Sequence, residues 1–565
     1  MTHVSSPNLL RLVVAVSCLL TLILQGHTLV QPMLITDDIA QHHVWLDAGE
    51  GSGLQSDDPW IECAKVYQPY LAAAVFSAVG LVLPTLLVGK AIALVLLALS
   101  AYFIFLIGLR LGGHRLGWIA MGLLFVSDAW IGISGGFARS FAWPLVCGFI
   151  LALLKGRLDL VALSLFLSAA LYPMLFVLFV PAYAIVWLFT EAWSGWRQTF
   201  NSRTQLQSHW PLLLAVAAGS TLVLLKSREM GMHPHMGPQV TLAQIQNDPI
   251  YAVGGRVVLW PQLPLHVLLP GPLLPWSKVL VEPVLRHLSA LPAGLASVGV
   301  LLLHLTAVGA SVLALVVLWR RSREQALVLL ALAVASILTF KVAEILLPRL
   351  FESSRYLTWT IPVLGLLAWA MLLDAIVGFI KSPRVRQVLL LLLLLLFVVR
   401  APVIRGKGAE DVSEDAPLYI ALARTGAKEL IACFPRTGDL IPILSNRSVF
   451  VSHESSHAVI FSRYRQLVME RNAALLKAFY SPHSADVRVF CKDHKISWLV
   501  VEEKYYLSDM EPGVHFAPFE QQLRDMLKLT PQPWLLTYAR TAGKQVQSGV
   551  YLLSTGPILD SSSPP

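Results

Sequence analysis

The sequence Leu34-Ile-Thr-Asp-Asp-Ile-Ala-Gln-His-His-Val-Trp-Leu-Asp47 directly follows the first apolar segment of the chain. It places two adjacent carboxylates, Asp37 and Asp38, a few residues before the imidazoles of His42 and His43. Because the chain is 56% hydrophobic and only 14% charged, it has few places for such a cluster. We interpret this stretch as the centre of the function. The alternative is a solvated loop whose acidic residues only help to orient the chain in a membrane.

The composition is that of a polytopic membrane protein. The 565 residues have a mean hydropathy of +0.65, and apolar runs of about 20 residues recur along the chain, which is the length needed to cross a bilayer. The net charge is +9, but Lys and Arg lie mostly in short loops between the apolar runs. Basic residues in such loops indicate which side of the membrane each loop faces, and they do not form the basic patch typical of nucleic-acid binding. We therefore expect no nucleic-acid partner.

The five cysteines show no pattern of metal or disulfide chemistry. They lie at 18, 63, 147, 433 and 491, without a CxxC or another ligand spacing, so neither a zinc site nor a disulfide framework is indicated. The sequence leaves open whether Cys433 and Cys491 pair.

The first loop sets the sidedness of the predicted topology. The opening apolar run has no small-residue cleavage site, so we predict a retained first helix. Positive charge is enriched in cytoplasmic loops, so an acidic first loop predicts a cytoplasmic N-terminus and an external loop. Residues 31–68 hold seven acidic residues against the single base Lys65: Asp37, Asp38, Asp47, Glu50, Asp57, Asp58 and Glu62.

Residues 70–88 are apolar but contain Pro84, and two placements are open. A span here would put Arg110 and Arg115 outside, whereas a segment at the outer interface puts every later basic loop inside. We predict the interfacial placement. The topology then has about 11 spans, near 9–30, 90–109, 116–134, 140–154, 158–172, 174–190, 211–225, 295–318, 325–347 and 357–378 and at the leucine run Leu389–Leu396.

Two domains follow from the change in composition near residue 404. Residues 1–403 form a multi-span domain with external loops 31–89 and 226–293. Residues 404–565 form an extracytoplasmic α/β domain, since short apolar strands alternate there with amphipathic helices at 461–480 and 519–529. This tail contains no P-loop, GxGxxG or nucleophile elbow, so we assign the chemistry to the membrane domain. We expect a multi-pass protein of a bacterial inner or plasma membrane.

Three arginines lie on the external side of this topology, against the positive-inside bias. Arg139 belongs to Gly135-Gly-Phe-Ala-Arg-Ser-Phe-Ala-Trp-Pro144, and Arg349 and Arg355 belong to the turn Pro348-Arg-Leu-Phe-Glu-Ser-Ser-Arg-Tyr356. A guanidinium group binds phosphate through two parallel charge-assisted hydrogen bonds and stays ionised, so these residues predict a phosphate site. The alternative is that they pair with acidic residues of the first loop.

Other ionisable residues have weaker assignments. Lys341 and Glu344 lie three residues apart within a predicted span, where they are functional candidates or a mutual structural pair. If residues 37–45 are helical, Asp38 and His42 share a face and with a third ligand could hold a divalent metal such as Mg²⁺ or Mn²⁺. No cofactor is established by the sequence.

These features together resemble the GT-C class of integral membrane glycosyltransferases. The resemblance rests on the Asp37-Asp38 pair after the first span, the interfacial segment behind it, the passage around Arg139, Tyr172-Pro173, Arg355-Tyr356 and the external α/β domain. It implies transfer of a sugar from a polyprenyl-phosphate donor to a glycan, lipid or protein acceptor in contact with membrane lipids.

The resemblance also assigns roles to individual residues. Asp37 or Asp38 would be the general base that deprotonates the acceptor hydroxyl as it attacks with inversion. Arg139 and Arg355 would hold the departing lipid phosphate, with Arg349 and Tyr356 beside them.

Two other functions compete with this interpretation. A transporter or flippase for a lipid-linked glycan would show paired repeats, broken helices and charges near the bilayer midplane. Here the sequence shows no internal repeat, and the charges gather at the outer rim. A non-catalytic assembly protein would use the C-terminal domain as a docking module, and Asp37 and Asp38 would then be incidental.

Overall fold

The structure is a computed structural model that describes most of the chain. The described residues are 7–49, 51–55, 57–127, 130–194, 202–259, 309–346, 348–350, 352–385, 388, 395, 399, 401–402, 405–507, 513–530 and 532–560. The predicted span at 295–318 and the leucine run Leu389–Leu396 lie largely outside these residues, as does the second half of the predicted loop 226–293.

The membrane domain is mostly helical in its described part. Its helices are α1 (Pro7–Gln25), α2 (His27–Val30), α3 (Asp37–His43), α4 (Pro59–Tyr67), α5 (Tyr70–Gly80), α6 (Thr85–Gly112), α7 (His114–Val126), α8 (Ala142–Lys155), α9 (Leu158–Leu171), α10 (Pro173–Ser194), α11 (Ser202–Met232), α12 (Leu242–Asn247), α13 (Arg323–Ile345), α14 (Arg355–Thr358) and α15 (Thr360–Phe379). Turns of 3-10 helix occur at Val44–Leu46, Ile131–Ile133, Ala138–Phe141 and Pro249–Tyr251.

Six helices in the described part are long and apolar enough to cross a membrane: Pro7–Gln25, Thr85–Gly112, Ala138–Lys155, His209–Met232, Arg323–Ile345 and Arg355–Phe379. Four shorter apolar helices accompany them, at Tyr70–Gly80, His114–Val126, Leu158–Leu171 and Pro173–Phe189. This set identifies a multi-pass membrane protein. The count of about 11 spans stays a prediction.

The helices pack around the long helix α6 and the shorter helix α9. Helix α6 contacts α1, α7 and α8, and α9 contacts α8, α10 and α11. Large side chains fill the space between them: the rings of Phe149 on α8 and Phe179 on α10 stack with their centroids 4.0 Å apart, and both are fully buried. Close packing rather than polar contact therefore holds this part of the bundle together.

Several predicted spans differ from the observed helices. The predicted span 116–134 is instead the shorter α7, which ends at Val126 before the 3-10 turn Ile131–Ile133. The predicted span 211–225 extends into α11, which continues to Met232 and so removes the first residues from the predicted loop 226–293. The apolar run 70–88 is broken where Pro84 precedes the start of α6, because proline removes a backbone donor.

Helix α5 has 11 residues. At a rise of about 1.5 Å per residue it is about 16 Å long, which is half of the roughly 30 Å hydrocarbon core. This length suits the interfacial placement predicted for the segment.

Arg115 and Arg321, from two of the basic loops, both pair with buried Asp374, through contacts of 2.6 and 3.5 Å. These two loops therefore lie on one side of the bundle, as the predicted topology requires.

The C-terminal residues form a five-stranded mixed sheet with helices around it. The strands in spatial order are β4 (Ser448–Val449), β3 (Leu430–Ala432), β5 (Trp498–Glu502), β7 (Val550–Ser554) and β6 (Lys544–Gln547). The first three are parallel, and β7 and β6 join antiparallel. The helices are α16 (Ala416–Ala423), α17 (Ile441–Ser445), α18 (Ser462–Phe479), α19 (Ser484–Asp493), α20 (Phe519–Leu529), α21 (Trp534–Ala542) and α22 (Gly556–Asp560).

The C-terminal sheet domain has an apolar centre. Strand β3 is buried along its whole length, and Val500 and Val501 of β5 are at most 1% exposed. Cys433 and Cys491 are both buried in this domain as free thiols.

A small second sheet joins the first loop to the C-terminal domain. Strand β1 (Leu34–Ile35) pairs antiparallel with β2 (Glu410–Asp411). Directly after β1, the hydroxyl of Thr36 accepts a hydrogen bond from the Ile39 amide at 3.3 Å and caps α3, as N-terminal Thr residues commonly do. The helix that carries Asp37 and Asp38 is therefore anchored at its start.

The turn Gly135-Gly136 lies against α6 so closely that side chains are excluded. Gly136 has φ +59°, and a Cβ atom there would overlap the carbonyl of Gly89 on α6. A Cβ atom on Gly135 would lie 2.6 Å from Cβ of Asp38. These glycines let the loop that carries Arg139 approach the helix that carries Asp38.

Replacing Gly136 by Ala should therefore destabilise the protein. We expect the free energy of unfolding to fall by about 1–3 kcal/mol, because the alanine would adopt a strained backbone conformation and its Cβ atom would overlap backbone atoms. Thermal unfolding of the detergent-purified protein measures the loss. The control is Gly122→Ala on α7, where a Cβ atom meets no atom within 4 Å; equal melting temperatures for the two variants would contradict the prediction.

Candidate functional site

A cavity of about 660 Å³ opens where α3 meets the Arg139 turn, the Arg349–Tyr356 turn and the C-terminal domain. Its polar lining residues are Asp37, Asp38, Gln41, His42, Tyr67, Gln68, Arg139, Tyr172, Lys226, Ser227, Gln239, Arg256, Arg349, Glu352, Arg355, Tyr356, Glu454 and His457. Apolar side chains of α10 and α11, including Met174, Val177, Val223 and Met230, form another part of the wall. The cavity thus combines carboxylates and guanidinium groups with an apolar surface.

Helix α3 presents both aspartates to the cavity. Asp38 is paired with Arg139, whose Nη2 lies 2.7 Å from its Oδ2. The amide of Asp38 donates to Oδ1 of Asp37 at 2.7 Å, and the Asp37 side chain is the more exposed of the two. Arg139 also lies over the ring of Phe137, with 4.5 Å from Cζ to the centroid, a cation–π contact that fixes its position.

Burial weakens the acidity of both aspartates. It raises the pKa of Asp38 to about 6; Arg139 lowers that pKa, while Asp37 and Glu454 raise it further. The pKa of Asp37 is also raised, first by burial and then by the charge of Glu454. A carboxyl group with a pKa near 6 is poised to exchange protons near neutral pH.

The predicted phosphate-binding residues line the same cavity. Arg355 forms an ion pair with Glu352, 2.7 Å from Nε to Oε2. Arg349 is exposed at the cavity wall, and the hydroxyl of Tyr356 donates to the carbonyl of Leu350 at 3.1 Å. Arg139 thus pairs with a first-loop acid, whereas Arg355 pairs within its own turn.

The two histidines of the first loop have different surroundings. His42 lines the cavity, stacks on Phe137 with centroids 4.3 Å apart, and has its Nδ1 3.3 Å from Nε2 of Gln68. His43 points away from the cavity and packs edge-on against Phe76. Burial lowers the pKa of His42 well below its usual value and that of His43 to about 4, so both imidazoles are neutral.

The metal site predicted at Asp38 and His42 stays a prediction. Arg139 and Gln68 already contact these two side chains. In the described part, Asp439, His453 and Glu454 offer ligand atoms within 4.8 Å of one another. Arg256 shares this cluster through an ion pair with Glu454, and its positive charge opposes a cation there. The chemistry derived below uses no metal.

Lys341 and Glu344 lie away from the cavity. They form a salt bridge of 2.9 Å on α13, three residues apart, and neither lines the cavity. The structure therefore shows the mutual pair that the sequence spacing allowed.

Comparisons with known proteins bear on the fold. No protein-family model matches the sequence, and no curated protein matches it. The structure is similar to that of ArnT from Cupriavidus metallidurans in the apo state, with a TM-score of 0.50 and 12% identity, over 98% of this chain and 99% of that one. ArnT is a GT-C glycosyltransferase.

The chain has the GT-C fold. A further similar structure is the archaeal oligosaccharyltransferase AglB from Archaeoglobus fulgidus in complex with an inhibitory peptide and a dolichol-phosphate. It has a TM-score of 0.49 and 11% identity, over 89% of this chain and 71% of that one. At 12% identity the likeness to ArnT concerns the fold alone.

Within this GT-C fold, the C-terminal domain contributes side chains to the cavity that no sequence motif predicted. Glu454, His457, Ile460 and Phe461 line the cavity, although we expected no chemistry from the tail. Arg256, from the predicted loop 226–293, also lines it and pairs with Glu454 at 2.8 Å. These residues belong to no short motif, so no signal in the sequence identified them.

The C-terminal domain also holds α3 in place. Nε2 of Gln41 donates to the carbonyl of Glu454 at 2.9 Å and contacts His457. The rings of His42 and His457 meet edge to face at 5.4 Å. Gln41 lies four residues after Asp37, on the same face of the helix. The position of the aspartates in the GT-C fold therefore depends on both domains.

Proposed function

We propose that this chain is a membrane glycosyltransferase. It moves a sugar from a polyprenyl-phosphate donor to a glycan, lipid or protein acceptor on the non-cytoplasmic face, with inversion. The observation that supports the proposal is the one cavity in which Asp37 and Asp38 meet Arg139, Arg349 and Arg355 next to an apolar wall. A polyprenyl phosphate needs both an apolar surface for its chain and fixed cations for its phosphate.

The arginines stabilise the leaving group. When the bond between the anomeric carbon and the phosphate oxygen breaks, negative charge grows on the phosphate, and Arg139, Arg349 and Arg355 face that charge. Guanidinium groups fixed in a partly dehydrated cavity stabilise the transition state more than the ground state. Phe137 under Arg139 and Glu352 beside Arg355 hold these two groups before the substrate binds.

Asp38 is the general base. The acceptor hydroxyl attacks the anomeric carbon on the face opposite the phosphate, and its proton passes to Asp38 as the new glycosidic bond forms. The ion pair with Arg139 holds the carboxylate until the phosphate arrives. Sharing Arg139 with the phosphate then reduces its hold on Asp38 and makes the carboxylate a stronger base. The negative charge of ionised Asp37 raises the basicity of Asp38 further.

Activity should depend on pH through Asp38. The base works in its ionised form and its pKa is about 6, so kcat/KM should fall about tenfold per pH unit below that value and level off above it. A pH series of initial rates measures the profile. Asp525→Asn, an exposed change on α20, should leave the profile unchanged. An acid limb near pH 4 would contradict the raised pKa.

The function itself is tested in the cell that makes the protein. Removal of the gene should cause one polyprenyl-phosphate sugar to accumulate and one surface glycan modification to disappear, and both are measured by mass spectrometry of lipid extracts and of surface glycans. Re-expression of the wild-type chain should reverse both effects. A docking protein or a flippase would not restore transfer when the purified chain is mixed with that lipid and its acceptor, and failure of this reconstitution would overturn the proposal.

A further inference from the structure

One polar part of the cavity wall takes no part in the proposed transfer step. It is formed by Glu454 and His457 of the C-terminal domain together with Arg256. Glu454 raises the pKa of both Asp37 and Asp38, and Arg139 lowers both. The two aspartates thus interact with arginines of the membrane domain and with Glu454 of the C-terminal domain.

Glu454 is held in a fixed orientation. Its Oε1 lies 3.0 Å from Nδ1 of His453, and its Oε2 lies 2.8 Å from Nη2 of Arg256. Arg256 is itself fixed, because its Nε donates to the carbonyl of His453 and its Nη2 donates to the carbonyl of Glu454. The side chain of Glu454 is 24% exposed and lines the cavity, while His453 and Arg256 fix the position of its carboxylate.

The charge state of Glu454 is equally well defined. Burial alone would raise its pKa, but the hydrogen bond from His453 and the charge of Arg256 together lower the pKa to about 2. The group is therefore an anion at any working pH and does not exchange protons during transfer. Each carboxylate oxygen accepts more than one hydrogen bond, so both retain capacity for a hydroxyl donor.

We infer that the Arg256–Glu454 pair is the subsite for the hydroxyl groups of the transferred sugar. A fixed carboxylate accepts hydrogen bonds from hydroxyls, and the neighbouring guanidinium group donates to the ring or hydroxyl oxygens. The subsite lies beside the aspartates in the cavity that the phosphate-binding arginines also line, so a donor held by its phosphate can extend its sugar toward it. This inference rests on the proposed function and makes the C-terminal domain part of the donor site.

The test compares two probes that differ only in the sugar. One is a synthetic short-chain polyprenyl phosphate, and the other is the same lipid carrying a hexose or a pentose, taken from a panel. Binding to the full-length, detergent-purified chain is measured by calorimetry for the wild type, Glu454→Gln and Glu454→Asp. The matched control is Glu503→Gln, which also removes a carboxylate paired with an arginine, Arg540, on the same domain but outside the cavity.

Glu454→Gln should weaken binding of the best glycosylated lipid about tenfold or more, the size expected for lost hydrogen bonds to a charged group. Binding of the bare lipid phosphate should stay unchanged, which also shows that the variant is folded. Glu454→Asp should recover part of the affinity, and Glu503→Gln should behave as the wild type.

Two results would overturn the inference alone. They are an equal loss for both lipids, and an unchanged affinity for the glycosylated lipid even if the KM for the acceptor rises. A wild-type chain that binds neither lipid would overturn the proposed function, and the inference with it.

Discussion

Asp38→Asn should reduce the rate of sugar transfer by about 10²–10⁴-fold, the range for loss of a general base. The amide has nearly the shape of the carboxylate but cannot accept the proton of the acceptor hydroxyl. Asp37→Asn should have a smaller effect, because Asp37 acts on Asp38 through its charge and through the hydrogen bond from the Asp38 amide. Initial rates with the accumulated donor lipid measure both variants.

Two controls make the Asp38 result decisive. Protein abundance and binding of bare polyprenyl phosphate should be retained in Asp38→Asn, since the arginines remain in place. Rate loss without loss of lipid binding identifies a residue of the chemical step. If Asp37→Asn loses the larger factor, the roles of the two aspartates are reversed. If neither variant changes the rate, the cavity is not the site of transfer.

The second large effect concerns Arg139. Arg139→Ala should lower kcat by about 10²–10³-fold, comparable to the removal of one donor that stabilises the developing charge of a transition state. Arg139→Lys should recover only part of the loss, because an ammonium group acts as a point charge and lacks the planar pair of donors. Single-turnover rates separate this effect from donor binding.

Arg139 has two partners, and the experiment has to separate them. Loss of the ion pair with Asp38 would lower the acidity of that carboxyl and shift the acid limb of the pH profile upward, whereas loss of the phosphate contact lowers the plateau above it. Arg540→Lys on the domain surface, where the side chain is 54% exposed, is the control. A wild-type plateau for Arg139→Ala would contradict a role in holding the leaving phosphate.

Much of the helical bundle, and several of the charged residues that line the cavity, could be predicted from the sequence. Apolar runs report the spans because lipid leaves no alternative to helices there, and Pro84 marks the break before α6 because proline lacks a backbone donor. Asp37, Asp38, Arg139 and Arg355 stood out because ionisable side chains are costly beside a bilayer. Their meeting in one cavity follows from the shared side of their loops.

The part of the cavity wall formed by Arg256 and Glu454 could not be predicted from the sequence, for a physical reason. Arg256 and Glu454 are 198 residues apart, and each is an ordinary charged residue in a polar segment. A charged side chain in a segment exposed to water has no free-energy cost, so its presence does not indicate an ion-pair partner. The short length of α7 was equally hidden, because only Ser127 and Asp128 separate its apolar residues from the apolar residues that resume at Ala129.

The contact between Gln41 and Glu454 has a consequence for biosynthesis. These residues are 413 positions apart in the sequence. Strand β1 likewise can pair only after β2 has been synthesised. A nascent chain that has inserted its first helices therefore carries its aspartates on a short helix that nothing yet restrains from the far side. Under the proposed function, we expect a partly synthesised chain to be inactive until the C-terminal domain has been made and has docked against α3.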